Sequence, residues 1–353
     1  MRQPAGCPVS FTLPEQCSLK LAFIPIFYFE VNVMAKKYAF LFPGQGAQAP
    51  GMIKDVADAF PAAKKVVDDV SAIINLDMAK LLWESDAAEL SRSDNSQIAI
   101  TTASIALMAV LKEKGIEPSA AMGFSLGEFP ALYAAGVLSF EDVISVVRRR
   151  GLIMQAVCEE IAAENEGHVP GMSAIIGLSP DKVKEIAAGI KDAYAANMNS
   201  VKQTVISGTF DALAAAEKAA TEAGARRAIR LKVAGPFHSP LMQKAAVEFE
   251  KAIADVKFAD PKIKLFSNVT GKEVLKGEDA KSSAVLHLTH PVLWTDEEKV
   301  LGSLITADTA NEWTVLEPGP GKVLSGLWRD TEFGEKYVCA PVNTVDSINA
   351  AAL

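Results

Sequence analysis

The sequence predicts an α/β protein: a large domain built on a parallel sheet with a nucleophile elbow, interrupted by a small subdomain. Three observations carry this. Tyr38–Phe42 and Ser119–Met122 are short continuous apolar runs, as expected of strands buried on both faces, and each ends in a glycine-rich turn. The second run enters Gly123-Phe124-Ser125-Leu126-Gly127, a Gly-x-Ser-x-Gly turn followed by a helix-prone stretch. From about residue 171 to 234 the texture changes to short strands and helices in the order β-α-β-β-α-β.

Size and charge fit this picture. A chain of 353 residues accommodates one large and one small folding unit. With 50% hydrophobic residues and net charge −8 it reads as a soluble globular protein, with no electrostatic case for nucleic acid. The four cysteines lack metal-ligand or redox spacing, which points to a reducing, cytoplasmic setting. No apolar run approaches the ~20 residues that span a bilayer. Residues 1–33 stand apart. Leu21–Phe29 is apolar and follows Lys20, as in a signal peptide, but the polar lead is long and no small-residue cleavage site precedes Glu30. Met34 opens an ordinary-looking start, so 1–33 is expected to be an extension outside the fold, disordered or from a misassigned start.

Taken in order, Tyr38–Phe42 is the first strand. It ends in Pro43-Gly44-Gln45-Gly46-Ala47-Gln48, a loop placed where open α/β sheets bind ligands. The loop lacks the P-loop lysine and the dinucleotide glycine spacing. Its glycines allow close backbone approach and suit an oxyanion-stabilising N–H, although taken alone a plain turn is the simpler reading. Asp55–Asn75, Leu81–Leu90 and Ser96–Lys114 read as helices, the last stopped by Gly115 and Pro118. After the elbow, Ser139-Phe140-Glu141-Asp142 is a capping sequence for a helix to about Glu164. Arg148, Arg149 and Arg150 on it cannot share one face, since neighbours point about 100° apart. At least one should therefore turn inward and require an anion.

The 171–234 stretch is a ferredoxin-like pattern inserted between 34–170 and 235–353. Its strands are expected at Met172–Leu178, Ala193–Asn197, Thr204–Ser207 and Arg227–Val233, with Asn197-Met198-Asn199-Ser200 as a polar loop facing a cleft. Beyond it come Phe237-His238-Ser239, a strand at Lys264–Phe266 with Ser267-Asn268-Val269, a helix through Leu304 and a strand at Trp313–Glu317.

A serine hydroxyl needs a neighbouring base, and the pentapeptide alone also fits a glycine-rich turn with an incidental serine. Of four histidines, His168 lies in a polar loop and His238 in a crossing between units where clefts form. His287 and His290 are three apart, but no nearby acid or cysteine completes a metal site. Position ranks His238 first and His287 second.

Together, Phe42-Pro43-Gly44-Gln45-Gly46-Ala47-Gln48, the Ser125-Leu126-Gly127-Glu128 elbow, Arg150-Gly151 with Met154-Gln155, Phe237-His238-Ser239-x-Leu241-Met242, Pro291-Val292-x-Trp294 and Glu317-x-Gly319-Pro320-Gly321-Lys322 follow one order. The chain from about Lys36 onward thereby resembles the malonyl-CoA:acyl-carrier-protein transacylases of fatty-acid synthesis. The resemblance implies an α/β-hydrolase-like large domain and malonyl transfer from CoA to the phosphopantetheine thiol of acyl carrier protein. It implies Ser125 as nucleophile, His238 as base, Gln45 and Leu126 N–H groups as oxyanion hole, and Arg150 as partner of the substrate carboxylate. The main-chain carbonyl of His287 would orient His238, and Asn199 and Asn268 would line the cleft. No cofactor or metal is implied. Malonyl-CoA and acyl carrier protein are the expected partners of a monomer that binds neither nucleic acid nor membrane. The chain departs from the family pattern twice: Phe124 stands where histidine is usual, and His287 where bacterial enzymes usually carry glutamine. Arg148, Arg149, Lys322 and Arg329 are expected to offer the acidic carrier a basic landing surface.

Overall fold

The computed structural model describes residues 35–353, so the expectations for residues 1–33 fall outside the described residues. In chain order the strands are β1 (Ala35–Phe42), β2 (Pro118–Gly123), β3 (Gly171–Ile176), β4 (Ala193–Ser200), β5 (Gln203–Gly208), β6 (Arg227–Arg230), β7 (Lys264–Ser267), β8 (Lys272–Glu273), β9 (Asn311–Pro318) and β10 (Cys339–Val342). They form two sheets. The larger runs β10-β9-β1-β2-β7-β8 and the smaller β4-β5-β3-β6.

In the large sheet every pair from β10 to β7 is parallel, and only β8 runs antiparallel to its neighbour β7. This is an α/β fold on a mixed, mainly parallel sheet. The centre of β1 explains the arrangement: Ala39, Phe40, Leu41 and Phe42 are all 0% exposed, so apolar residues alternate into two cores on opposite faces. Phe40 and Phe42 pack on one side with the helices Ser93–Glu113 and Phe140–Glu164, while Ala39 and Leu41 face Trp294 and Trp328 on the other. Ser93–Glu113 is buried around most of its circumference, including Ser96, Gln97, Thr101, Thr102 and Ser104 at 0% exposure. A helix of such mixed polarity is held by its surroundings rather than by an amphipathic stripe.

Several boundaries differ from those expected, each for a local reason. The helix anticipated over Asp55–Asn75 is two, Lys54–Ala59 and Pro61–Ile74, because Pro61 lacks an N–H and starts a new helix at its first position. Leu81–Leu90 is likewise split, into Met78–Trp83 and Ala87–Ser91, with Asp77 and Asp86 accepting bonds from the first-turn N–H groups of each. The stretch Asn197–Ser200 is not a loop: it is the end of β4, paired with β5 and bridged in parallel at Asn197 to Val292. The Met198 N–H donates to the Val292 carbonyl and the Val292 N–H to the Ala196 carbonyl. Asparagine and serine favour turns through local side-chain bonds, and here two neighbouring backbones outcompete them.

The small sheet is antiparallel throughout, with helices Pro180–Ala188 and Phe210–Glu222 packed on it over a separate core of Ile175, Val183, Ile206 and Leu213. Among the described residues no helix is long and apolar enough to cross a membrane.

The parallel sheet places the carboxyl ends of β1, β2, β7 and β9 together, and the loops leaving them are pressed into contact. A Cβ on Gly44 would stand 2.3 Å from the Phe124 carbonyl oxygen, one on Gly127 2.0 Å from that of Phe42, and one on Gly319 2.3 Å from Pro43 Cγ. Glycine is required at these positions by space, not by turn type.

Candidate active site

At the end of β2 the chain reverses through Ser125, whose φ of 52° is left-handed. The turn is tight enough that a Cβ on Gly123 would lie 1.9 Å from the Gly127 carbonyl oxygen, which fixes the first glycine of the motif as the Phe42 carbonyl fixes the second. A non-glycine residue at such a φ is strained and persists only where the surroundings over-determine it. His238 is held the same way, with φ 56° between Phe237 and Ser239. The Ser239 hydroxyl donates to the Pro236 carbonyl at 2.6 Å and closes that loop.

These two strained residues meet. Ser125 Oγ lies 2.8 Å from His238 Nε2, and His238 Nδ1 lies 2.8 Å from the main-chain oxygen of His287. A carbonyl only accepts, so Nδ1 carries the proton and Nε2 presents its lone pair to the serine. His238 is buried, and desolvation, followed by the positive charge of Arg150, presses its pKa down to about 4. The imidazole is therefore neutral at physiological pH, the form a base requires.

Arg150 is the arginine that turns inward. It is 2% exposed and stacks over the Phe129 ring with Cζ 5.3 Å from the centroid. Its Nη1 donates to Gln97 Oε1 at 2.6 Å, whereas its Nε is buried without a hydrogen-bond partner among the described residues. Burial lowers its pKa to about 10, against the attraction of Glu128, leaving it charged. Gly151 lets the helix carrying it sit against Ser93, whose carbonyl oxygen would be 2.8 Å from an added Cβ. Arg148 Nη1 instead donates to the Asp94 carbonyl at 2.8 Å and Arg149 Nη1 to the Ala252 carbonyl, which ties one nitrogen of each half-buried guanidinium to the fold. Lys322 and Arg329 are exposed.

The amides around the serine are partly consumed. The Gly127 N–H donates to the Phe124 carbonyl, Ala47 N–H to Gly44, and Gly46 N–H to Gln48 Oε1 at 2.7 Å. Gln45 and Leu126 lie on the two loops that Gly44 brings into contact. Phe124, in place of the usual histidine, packs edge-on against Trp294 with centroids 5.3 Å apart.

Asn268, expected along the cleft, is instead 0% exposed behind the elbow, because each of its polar atoms is taken up inside the protein. Its Oδ1 accepts from the Ser125 N–H at 2.6 Å, and its Nδ2 donates to the Gly123 carbonyl at 2.7 Å and to Glu297 Oε1 at 2.8 Å. Asn199 is 8% exposed near the end of β4, and its Oδ1 has no partner among the described residues. His290 bonds back to the Leu286 carbonyl at its exposed site, and His168 lies on the surface near Asp211.

Buried acids were not foreseen from the sequence. Desolvation raises Glu128 to about 7 and Glu298 to about 8, and raises Glu297 well above the carboxylate range, with the charge of Glu128 adding to the effect. A carboxyl whose pKa is higher folded than unfolded contributes stability that is complete below its unfolded value and lost as pH rises through the folded one. Thermal stability is thus expected to fall between about pH 5 and 9. The Glu298→Gln variant, which keeps an acceptor for Trp294 Nε1–H, should flatten that slope in differential scanning calorimetry; an unchanged slope would contradict this account.

The chain matches the acyl transferase domain family over residues 39–304. It is 39% identical over 82% of its length to a Bacillus subtilis malonyl CoA-acyl carrier protein transacylase, covering 89% of that protein, and 35% identical over 90% to the Escherichia coli protein of that name, covering 96% of it. Among solved structures, the Coxiella burnetii malonyl CoA-acyl carrier protein transacylase superposes with a TM-score of 0.82 at 29% identity, over 90% of this chain and 98% of that one. Another, a type II polyketide malonyl-transacylase in complex with its acyl-carrier protein, gives 0.81 at 32% identity, over 90% and 99%. By motif order, coverage and identity, the chain belongs to the malonyl-CoA–acyl-carrier-protein transacylases of the acyl transferase family.

Proposed function

We propose that the protein moves a malonyl group from coenzyme A to the phosphopantetheine thiol of an acyl carrier protein, through a malonyl ester on Ser125, in fatty-acid biosynthesis. The observation that carries this is the 2.8 Å approach of Ser125 Oγ to a neutral His238, with a buried guanidinium close enough to depress the histidine's pKa. His238 Nε2 takes the hydroxyl proton as Oγ attacks the thioester carbon, then returns it to the departing CoA sulfur. The carrier thiol reverses these steps, giving ping-pong kinetics. The Gln45 and Leu126 N–H groups are the donors we assign to the tetrahedral oxyanion, each worth about 3–4 kcal/mol where such donors have been removed.

Arg150 answers the question of which acyl group. Its Nε, without a partner among the described residues, suits a carboxylate, and pairing there would offset the charge that, after desolvation, holds His238 down. A malonyl donor would therefore raise the base's pKa as it binds, strengthening it for proton abstraction. A hydrolase would typically orient its histidine with a carboxylate, whereas His238 Nδ1 is bonded to a carbonyl.

The finer architecture supports this chemistry. The order β4-β5-β3-β6 with its two helices supports reading 171–234 as a ferredoxin-like subdomain set into an α/β-hydrolase-like domain of 34–170 and 235–353. Asn199, near the end of β4, has a buried Oδ1 without a partner among the described residues, which supports a polar role for it beside the cleft. The buried thiols of Cys158 and Cys339, neither in a disulfide among the described residues, suit a reducing cytoplasm.

Intact-mass spectrometry after brief exposure to malonyl-CoA should show one malonyl adduct, mapped to Ser125 and discharged by holo carrier protein. Release of free malonate with no adduct would replace the transferase by a hydrolase.

A further inference from the structure

Asn268 is saturated in a way few side chains are. An asparagine amide has two acceptor lone pairs and two donor hydrogens. Here the Ser125 N–H and His287 Nε2 approach Oδ1 at 2.6 and 3.0 Å, while Nδ2 reaches the Gly123 carbonyl and Glu297 Oε1 at 2.7 and 2.8 Å. Its main chain is fixed too, with the N–H on Glu128 Oε2 at 2.9 Å and the carbonyl accepting from Leu293 N–H at 2.8 Å. Three of these partners lie in the acyl-transfer machinery. Gly123 and Ser125 are the elbow, and His287 supplies the carbonyl that holds His238.

We propose that Asn268 is a positioning residue which, by gripping the Ser125 N–H and the His287 imidazole with one oxygen, sets the distance between the nucleophile and its base. The inference rests on the malonyl-transfer reading and deepens it. His287 acts through its side chain as well as its carbonyl. Because Oδ1 only accepts, Nε2 carries the imidazole proton, and Nδ1 is left as an acceptor buried without a partner among the described residues. Glutamine also presents an N–H from a planar end group, so the usual residue at this position can make the same bond to Asn268. Glu297 and Glu128, on separate helices, stop the amide from flipping or sliding, since both bond the same residue.

The test uses the full-length enzyme with malonyl-CoA and holo carrier protein. Asn268→Asp keeps the shape but sets a carboxylate oxygen against the Gly123 carbonyl and the Glu297 carboxyl, so the substituted side chain must rotate or protonate. Transfer kcat is expected to fall about 100-fold with KM for malonyl-CoA within about threefold, as for a displacement near 1 Å. His287→Leu, which removes the donor and keeps the main chain, should lose about tenfold in kcat, and His287→Gln should restore it to within about threefold of wild type. The acid limb of the pH–rate profile should move in Asn268→Asp and His287→Leu but not in His287→Gln. Wild-type kcat in His287→Leu, or losses of equal size in His287→Gln and His287→Leu, would overturn the proposal. A wild-type enzyme that forms no Ser125 adduct would overturn the transferase reading instead, so the two failures are separable.

Discussion

Replacing His238 with alanine is expected to lower malonyl transfer by about 10⁴-fold, and the double variant Ser125→Ala/His238→Ala should be little worse than either single one. The reason is geometric. Ser125 Oγ and His238 Nε2 are 2.8 Å apart, and in the proposed transfer they act on one proton, so removing either removes the same step. The residual rate comes from the backbone donors and substrate binding, which both variants keep. KM for malonyl-CoA should change little, because the proposed pairing of Arg150 with the substrate carboxylate is untouched. Stopped-flow measurement of Ser125 acylation, alongside steady-state transfer, checks this. Additive losses in the double variant would mean that His238 serves some step other than deprotonating Ser125.

Arg150→Ala should reduce kcat/KM for malonyl-CoA by about 10²–10³-fold, the scale on which breaking a buried ion pair costs about 3–5 kcal/mol. Acetyl-CoA, with no carboxylate to pair, should lose less than about fivefold and so gain in relative preference. The guanidinium also holds Gln97 Oε1 and covers Phe129, so some destabilisation is expected. The ratio of the two substrates' rates is immune to that, since the folded fraction cancels. Arg150→Lys should recover only part of the selectivity, because an ammonium cannot present the planar fork. Equal losses for both acyl groups would defeat the carboxylate pairing.

Much of the site was legible because its residues are marked by local constraint. The elbow glycines, the crowded Gly44 loop and the inward arginine of a three-arginine run all announce themselves in short stretches. Asn268 does not. Its importance lies in bonds to residues 123, 125, 287 and 297, and no spacing rule encodes contacts so distant in the chain. Glu297 and Glu298 were hidden for a related reason: in Thr-Asp-Glu-Glu-Lys they look like a solvated first turn, and only the covering of that face buries them. β10 was missed because Cys-Ala-Pro-Val carries a proline, which argues against a strand. The sheet order resolves this, since β10 is an edge strand, where a missing N–H costs no ladder bond. Glu128, directly after the elbow, is a buried acid that sequence position alone could have flagged.

The left-handed backbone at both Ser125 and His238 has a consequence for how this protein can change. Each such residue stores on the order of 1–3 kcal/mol, held in place by the surrounding packing. Selection for heat resistance alone would favour glycine at these two positions, relieving the strain at the cost of the roughly 10⁴-fold in transfer that the two side chains supply.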